Sequence, residues 1–269
     1  MKKATIAEKD LYLIDGFFQQ KEKESLTSYS TQASFSRNSY GSSEAIQNGE
    51  KPASSMNGKE RWIFFHRPPA AIQEVYNLFS QLSEKLHVDV TTLPWELCDA
   101  ALARSPAVIA NKLEAASEES MEWGKHQDSN PGKRLPFGIP ILYSEGMHPE
   151  QFLNGSEGRP WMVSVMVYST AADFLPEYGL GTVFYDESQQ IALRVNCQDL
   201  RLVLFEGDLF HSIEASNIPH GKKTWRISYV FKMILNPKRA DCSPKQALFE
   251  LMHHYSLEEI NSFGHDFRA

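Results

Sequence analysis

Two histidines and one aspartate have the types and spacing of a metal site. His126 and Asp128 form a His-x-Asp pair, and residues i and i+2 of a strand point to the same side, so both could reach one ion. His211 follows the tight turn Gly207-Asp208, 83 residues after Asp128, and could supply the third ligand from another strand. That interval has room for the intervening strands of a barrel.

A set of two imidazoles and one carboxylate on one side of a metal leaves the opposite coordination positions open. This arrangement suits Fe(II), which must bind a co-substrate and O2 together. Zinc accepts the same ligands, so ligand type alone does not choose the metal. Considered alone, His126 could equally be a histidine of a surface loop. His211 considered alone could be a core histidine held by hydrogen bonds. Their order and spacing favour the metal site.

Arg226 and Ser228 lie on one face of an apolar run that the alternation of residues 225–231 predicts to be a strand. A buried arginine is costly unless it is paired, and a carboxylate matches its two-pronged geometry. The carboxylate could belong to a bound ligand or to a structural Asp or Glu. Tyr168, at the end of the apolar run 162–168, and Tyr143 could donate hydrogen bonds to the same ligand, although plain packing is the alternative for each.

The elements that must position these residues are short strands. Runs rich in β-branched and aromatic residues, separated by Gly, Pro and Asn turns, predict an antiparallel sandwich or barrel. The predicted strands are 139–143, 161–168, 182–185, 191–195, 202–205, 209–213 and 225–235.

The flanking regions predict helices and one long loop. A strand at 11–14 precedes a helix, a Ser-, Asn- and Gly-rich stretch at 26–60 predicts a surface insertion or a lid, and 62–65 predicts a strand. Further helices are predicted after Pro68-Pro69, near Pro94, from Ser105, from Ser243 and from the Ser256-x-x-Glu259 capping box.

Composition limits the class of protein. A chain of 269 residues, 42% of them apolar, can bury one sizeable core. The net charge of −7 argues against nucleic-acid binding as the main role. Three scattered cysteines predict a reducing compartment, and the absence of a signal-peptide pattern or a long apolar run predicts a soluble, cytoplasmic protein without a membrane span.

Residues 120–235 resemble the Fe(II)/2-oxoglutarate-dependent oxygenase superfamily, most closely its prolyl-hydroxylase-like branch. The family pattern is His-x-Asp, then a distant His, then an Arg shortly after it, and His126, Asp128, His211 and Arg226 follow that order. The Arg-x-Ser form, Tyr168 and the glycine-led stretch 179–185 are also similar to this branch. The chain departs from the pattern in its longer 128–161 segment and in the longer interval from His211 to Arg226.

The resemblance implies a mainly β fold with flanking helices, a double-stranded β-helix of the jelly-roll or cupin-like type. It implies one domain over 1–269, with N-terminal support helices and a flap loop at 1–118, the β-helix core at 119–235 and C-terminal helices at 236–269. His126, Asp128 and His211 would bind Fe(II), and no further catalytic residue is implied. Arg226, Ser228, Tyr168 and Tyr143 would bind 2-oxoglutarate. The implied cofactors are Fe(II), 2-oxoglutarate as co-substrate and O2, with ascorbate as an optional reductant.

The implied reaction is hydroxylation of a protein side chain or a small molecule, with release of succinate and CO2. Halogenation is disfavoured because Asp128 supplies the carboxylate that halogenases lack. The alternatives are a cupin-type metal enzyme that does not use 2-oxoglutarate and a non-catalytic binding barrel. The sequence leaves the substrate and the oligomeric state open, and the loops 26–60 and 129–160 are expected to line the substrate entrance.

Overall fold

The fold is described from a computed structural model. It describes residues 1–33, 35–37, 54–56, 64, 67–85, 88–92, 108–114, 123–128, 157–158, 161–219, 221–252, 258–260 and 266–267. Among these residues, no helix combines the length and apolarity that crossing a membrane requires.

The described residues form strands and three α-helices. The strands are β1 (Lys2–Ile6), β2 (Lys9–Ile14), β3 (Phe35–Arg37), β4 (Ser54–Met56), β5 (Val88–Thr92), β6 (Val108–Glu114), β7 (Trp123–His126), β8 (Trp161–Thr170), β9 (Thr182–Tyr185), β10 (Ile191–Val195), β11 (Leu202–Glu206), β12 (His211–Ile213), β13 (Trp225–Pro237), β14 (Glu258–Ile260) and β15 (Asp266–Phe267). The helices are α1 (Gln20–Gln32), α2 (Ala70–Lys85) and α3 (Pro244–Leu251).

Eight consecutive strands, β6 to β13, build the centre of the molecule. Four of them pair in the order β6-β13-β8-β11 in one sheet, and the other four pair in the order β7-β12-β9-β10 in a second sheet. All these pairings are antiparallel. Because the chain passes back and forth between the two sheets along these strands, the architecture is a double-stranded β-helix. The mainly β fold predicted from the sequence is confirmed.

The first sheet extends beyond the β-helix on both sides. The β1–β2 hairpin pairs with β11 and continues to β14, while β4 and β3 follow β6 at the other edge, and β5 pairs with β13. Each added strand covers backbone groups that would otherwise be exposed at a sheet edge.

Two apolar cores lie on opposite faces of the first sheet. Alternate residues of β8 supply each core: Met166 and Tyr168 pack with Phe184 and Phe205 between the two sheets, whereas Val165 packs on the outer face. The outer core also contains buried side chains of α1, α2 and α3. All ten residues of β8 are buried, including the polar residues Ser164, Ser169 and Thr170.

Most of the predicted strands occur where expected. The predictions at 182–185 and 191–195 match β9 and β10, and those at 161–168, 202–205 and 225–235 match β8, β11 and β13 within a few residues. The prediction at 209–213 is two residues too long at its start. The prediction at 139–143 lies outside the described residues.

Several predictions in the flanking regions are wrong. The helix expected from Ser105 is a strand over Val108–Glu114, and the capping box at Ser256 does not begin a helix, because Glu258–Ile260 pairs with β1. The expected loop at 26–60 contains the last turns of α1 as well as β3 and β4, and Phe64 is helical rather than extended. In the first two cases sheet pairing outweighed a local helix signal.

Candidate metal and co-substrate site

The three predicted metal ligands come together at one end of the second sheet. His126 on β7 and His211 on β12 are paired residues of neighbouring strands, and Asp128 follows two residues after His126. One potential ligand atom from each residue lies within 4.8 Å of the other two. His126 Nε2 is 3.7 Å from Asp128 Oδ1, and His211 Nε2 is 3.9 Å from Asp128 Oδ2.

The ring of His211 is held in one orientation. Its Nδ1 lies 3.0 Å from the main-chain oxygen of Leu209, which can only accept, so Nδ1 carries the proton and Nε2 keeps its lone pair for a metal. The rings of Phe205 and Phe184 pack against it, with centroids at 4.8 and 6.0 Å.

The carboxylate of Asp128 is buried and oriented by a neighbouring hydroxyl. Ser164 Oγ, on the inner face of β8, donates to Asp128 Oδ2 at 2.5 Å. That bond orients the carboxylate, whose Oδ1 lies on the side of His126. The side chain of His126 is 47% exposed, so the ligand group is open to solvent on the His126 side.

Arg226 is the most unusual buried group between the sheets. Its residue is 1% exposed, and none of its three guanidinium nitrogens has a hydrogen-bond partner within the described part of the chain. Its Cζ lies 5.6 Å from the centre of the Tyr168 ring. Burial lowers the pKa of the guanidinium from its ordinary value. Because a buried cation without hydrogen bonds is costly, the position favours an anionic partner.

No carboxylate among the described residues bonds to the guanidinium. Within those residues, the structural salt bridge considered for Arg226 is therefore not present. The three unsatisfied nitrogens therefore fit the far carboxylate of a small dicarboxylic acid such as 2-oxoglutarate. Ser164, which contacts Asp128, and Tyr168, whose ring lies beside Arg226, are four residues apart on the inner face of β8.

Of the other predicted co-substrate residues, Tyr168 lies beside the guanidinium and Ser228 is on the same face of β13 as Arg226. Ser228 is buried and pairs across the sheet with Tyr168, two residues along β13 from Arg226. Tyr168 is fully buried, and its hydroxyl is hydrogen-bonded to Thr182 Oγ1 at 2.5 Å. Burial raises the pKa of Tyr168, so the phenol stays neutral and can donate. Tyr143 lies outside the described residues.

Sequence reasoning missed three residues of this site. Ser164 shares the strand face of Tyr168, and this spacing could have indicated it. Thr182 begins β9 and Cys197 follows β10, and only the folded structure places them near Tyr168 and Arg226. Burial raises the pKa of Cys197 to about 12, so it is a neutral thiol in the wall of the site rather than a partner for the guanidinium.

The comparisons with known proteins find similar structures but no similar sequences. No protein-family model matches the chain, and no curated protein matches its sequence. Among solved structures, HygX from Streptomyces hygroscopicus with nickel and 2-oxoglutarate bound is 12% identical, with a TM-score of 0.47 over 87% of this chain and 84% of that one. A structure of prolyl 4-hydroxylases from Phytophthora capsici is 15% identical, with a TM-score of 0.41. That match covers 86% of this chain, which spans 60% of the length of the Phytophthora protein.

A prolyl-4-hydroxylase from Pseudomonas putida is 10% identical, with a TM-score of 0.37 over 85% of this chain and 93% of that one. The fold itself follows from the strand order of this chain, in which β6, β8, β11 and β13 pair antiparallel in one sheet and β7, β9, β10 and β12 pair antiparallel in the other. The chain is a double-stranded β-helix protein, and this confirms the fold implied by its resemblance to the prolyl-hydroxylase-like Fe(II)/2-oxoglutarate oxygenases.

Proposed function

We propose that this protein is an Fe(II)- and 2-oxoglutarate-dependent dioxygenase. His126, Asp128 and His211 would bind Fe(II), and Arg226, with Ser228 and Tyr168, would bind the far carboxylate of 2-oxoglutarate. Tyr143 is a further candidate for that carboxylate. The observation that carries the proposal is the buried guanidinium of Arg226, whose nitrogens have no hydrogen-bond partner among the described residues and lie between the same two sheets as three convergent metal ligands.

The side chains of the site have separate tasks in this proposal. Ser164 orients the carboxylate of Asp128, and Leu209 fixes the ring of His211, so the protein presents three ligand atoms and leaves other coordination positions open. Arg226 holds the co-substrate by charge and by paired hydrogen bonds. Phe184, Phe205 and Met166 keep the interior apolar, which strengthens these interactions by excluding water.

When bound, Fe(II) and 2-oxoglutarate together supply the activation of O2 that permits oxidation of a substrate C–H bond, with succinate and CO2 as by-products. Ascorbate would serve as a reductant in the assay. The proposed outcome is hydroxylation of a small molecule or a protein side chain, acting in the cytoplasm.

Two features favour this function over a cupin-type enzyme that does not use 2-oxoglutarate. Among the described residues, the potential ligand group contains three members, His126, Asp128 and His211. In addition, a cupin-type reaction gives no role to a buried arginine that has no hydrogen-bond partner in the described part of the chain. A non-catalytic barrel would not need to retain either feature.

The test is release of succinate from 2-oxoglutarate in the presence of Fe(II), O2 and ascorbate, with a panel of candidate substrates. We expect turnover that depends on added Fe(II), disappears in His126→Ala and requires more 2-oxoglutarate in Arg226→Ala. Arg239→Ala is the matched control, because Arg239 is an exposed residue paired with Asp241 and lies outside the site. Calorimetry that detects binding of neither metal nor 2-oxoglutarate would contradict the proposal.

A further inference from the structure

The two strands that carry the histidine ligands are weakly joined by their backbones. β12 has only three residues. In its pairing with β7, His211 lies opposite His126 and Ile213 lies opposite Trp123, and the register shifts between these two pairs. Asp128 lies beyond the end of β7. The backbone ladder therefore does not by itself fix the position of Asp128 relative to His211.

The side chain of Gln127 makes a second connection at this point. Its Nε2 donates to the main-chain oxygen of Asp208 at 2.5 Å. Gln127 stands between the two ligands of the His-x-Asp pair, and Asp208 lies in the turn between β11 and β12, three residues before His211. One hydrogen bond thus joins the segment with two ligands to the turn that leads into the third.

The turn itself is well ordered by other bonds. The Leu209 N–H donates to the oxygen of Glu206 at 2.9 Å, and the Gly207 N–H donates to the oxygen of Met162 at 3.1 Å. Since the oxygen of Leu209 accepts from His211 Nδ1, a displacement of the turn would displace the imidazole as well.

Lys9 also approaches this turn, from the N-terminal hairpin. Its Nζ is 3.4 Å from the Asp208 main-chain oxygen and 3.3 Å from Asp208 Oδ2. Lys9 belongs to β2 in the first sheet, so these contacts hold the turn without connecting it to β7. Gln127 provides the connection to the ligand-bearing segment.

We infer that Gln127 is a positioning residue of the metal centre. Its amide fixes the distance between the His126–Asp128 segment and the His211 turn, so that the three ligand atoms are in place before a metal arrives. The inference rests on the metal site of the proposed function. It adds a role for the middle residue of the His-x-Asp motif, which contributes no ligand atom of its own. Partners of this kind affect metal affinity by about 10- to 100-fold.

The experiment measures Mn(II) binding to the metal-free full-length protein, since Mn(II) uses oxygen and nitrogen ligands without redox chemistry. Gln127→Met removes the amide at similar length, and Gln127→Asn keeps the amide but is one methylene too short to reach Asp208. We expect both variants to raise the Mn(II) dissociation constant about tenfold. The visible absorption of bound Co(II), which depends on coordination geometry, should change in both.

Gln73→Met is the control, because Gln73 donates an exposed side-chain hydrogen bond to Asn77 within α2 and the variant makes the same change of residue type on a helix of the outer core. It should bind Mn(II) as the unmodified protein does. Thermal unfolding of each metal-free variant shows whether it is folded, and a variant that does not fold is replaced by Gln127→Leu.

If the unmodified protein binds Mn(II) and the folded Gln127 variants bind it within about twofold with an unchanged Co(II) spectrum, the inference about Gln127 is wrong and the metal site stands. Unchanged Mn(II) affinity in Gln127→Asn would also contradict the inference. It would show that a polar side chain at this position is sufficient and that the hydrogen bond to Asp208 is not needed. If the unmodified protein binds no metal, both the inference and the proposed function fail.

Discussion

At the scale of single residues, the buried guanidinium of Arg226 should lower the stability of the ligand-free protein. A buried polar group without a hydrogen-bond partner costs about 1–3 kcal/mol, and more when it is charged. The chain keeps this guanidinium among Tyr168, Cys197 and other buried side chains. A ligand carboxylate would recover the lost hydrogen bonds, so the same group that destabilises the ligand-free protein would add to ligand affinity.

This reasoning predicts opposite effects for Arg226→Met. The variant should raise the free energy of unfolding of the ligand-free protein by about 1–3 kcal/mol, since the long apolar side chain fills the site without a buried charge. It should also abolish measurable 2-oxoglutarate binding. Chemical denaturation and calorimetry on the same preparations test both effects. A variant that is less stable and still binds 2-oxoglutarate would show that Arg226 has a structural partner instead.

Ser164 offers a second residue-scale prediction. Ser164→Ala removes the donor to Asp128 Oδ2, which frees the carboxylate to rotate, so the Mn(II) dissociation constant should rise about tenfold. Calorimetric titration measures it. Ser169→Ala is the matched control: Ser169 is on the same strand and equally buried, but its hydroxyl faces the outer core and accepts from Ser30. Equal losses of affinity in the two variants would argue against a role for Ser164 in orienting Asp128.

The sequence could identify ligand candidates because their spacing is a local property. Residue type, order and strand alternation point to His126, Asp128, His211 and Arg226. The structure brings the first three together and buries the fourth without a hydrogen-bond partner among the residues it describes. Their binding roles remain predictions. Thr182 contributes through its hydrogen bond to Tyr168, which is distant in sequence. The spacing of residues along one sequence does not show which hydroxyl group a buried tyrosine contacts.

At the scale of elements, the site depends on the close approach of β9 to the end of β10. Gly181 precedes Thr182, and a Cβ at this position would lie 2.3 Å from the main-chain oxygen of Val195. A side chain there cannot be accommodated without moving one of the two strands. Since Thr182 is bonded to Tyr168, movement of β9 would reach the co-substrate end of the site.

We therefore predict that Gly181→Ala lowers the free energy of unfolding by about 2–3 kcal/mol and weakens 2-oxoglutarate binding. Gly16→Ala is the control, because Gly16 has a φ of +75° but no atom within 4 Å of an added Cβ. Its cost should be limited to backbone strain, about 1 kcal/mol, with unchanged ligand binding. Denaturant titration of both variants measures the difference. A Gly181→Ala variant no less stable than Gly16→Ala would contradict the steric argument.

Element types could be predicted where apolar periodicity and turn residues agree. β9 and β10 are bounded by glycines and polar turns, and their predicted limits match the structure. The errors at Ser105 and Ser256 have one cause. Proline and serine patterns there favour a helix locally, whereas β6 and β14 obtain their backbone hydrogen bonds from β13 and β1, which are distant in sequence. Local propensity carries no information about such partners.

At the scale of the whole molecule, the two cores differ in the residues that they bury. The outer core, between the first sheet and the three helices, is apolar and includes large side chains such as Trp161, Phe64 and Tyr229. The core between the sheets is bordered by Asp128, His211 and Arg226, which are buried polar groups. The helices thus stabilise a sheet whose opposite face can accept costly polar residues, and ligand binding should stabilise the fold through that inner face.

The final prediction follows from this linkage. A ligand that binds only the folded state stabilises it by about 2.7 kcal/mol at a concentration 100 times its dissociation constant. For a domain of this size, that corresponds to a rise in melting temperature of about 5–10 °C. Mn(II) should produce such a shift, and 2-oxoglutarate should add a further shift that is larger with Mn(II) than with a chelator present. His126→Ala, which alters a half-exposed side chain, should keep the ligand-free melting temperature but lose the Mn(II) shift. A Mn(II) shift of the same size in His126→Ala would place the metal elsewhere in the chain.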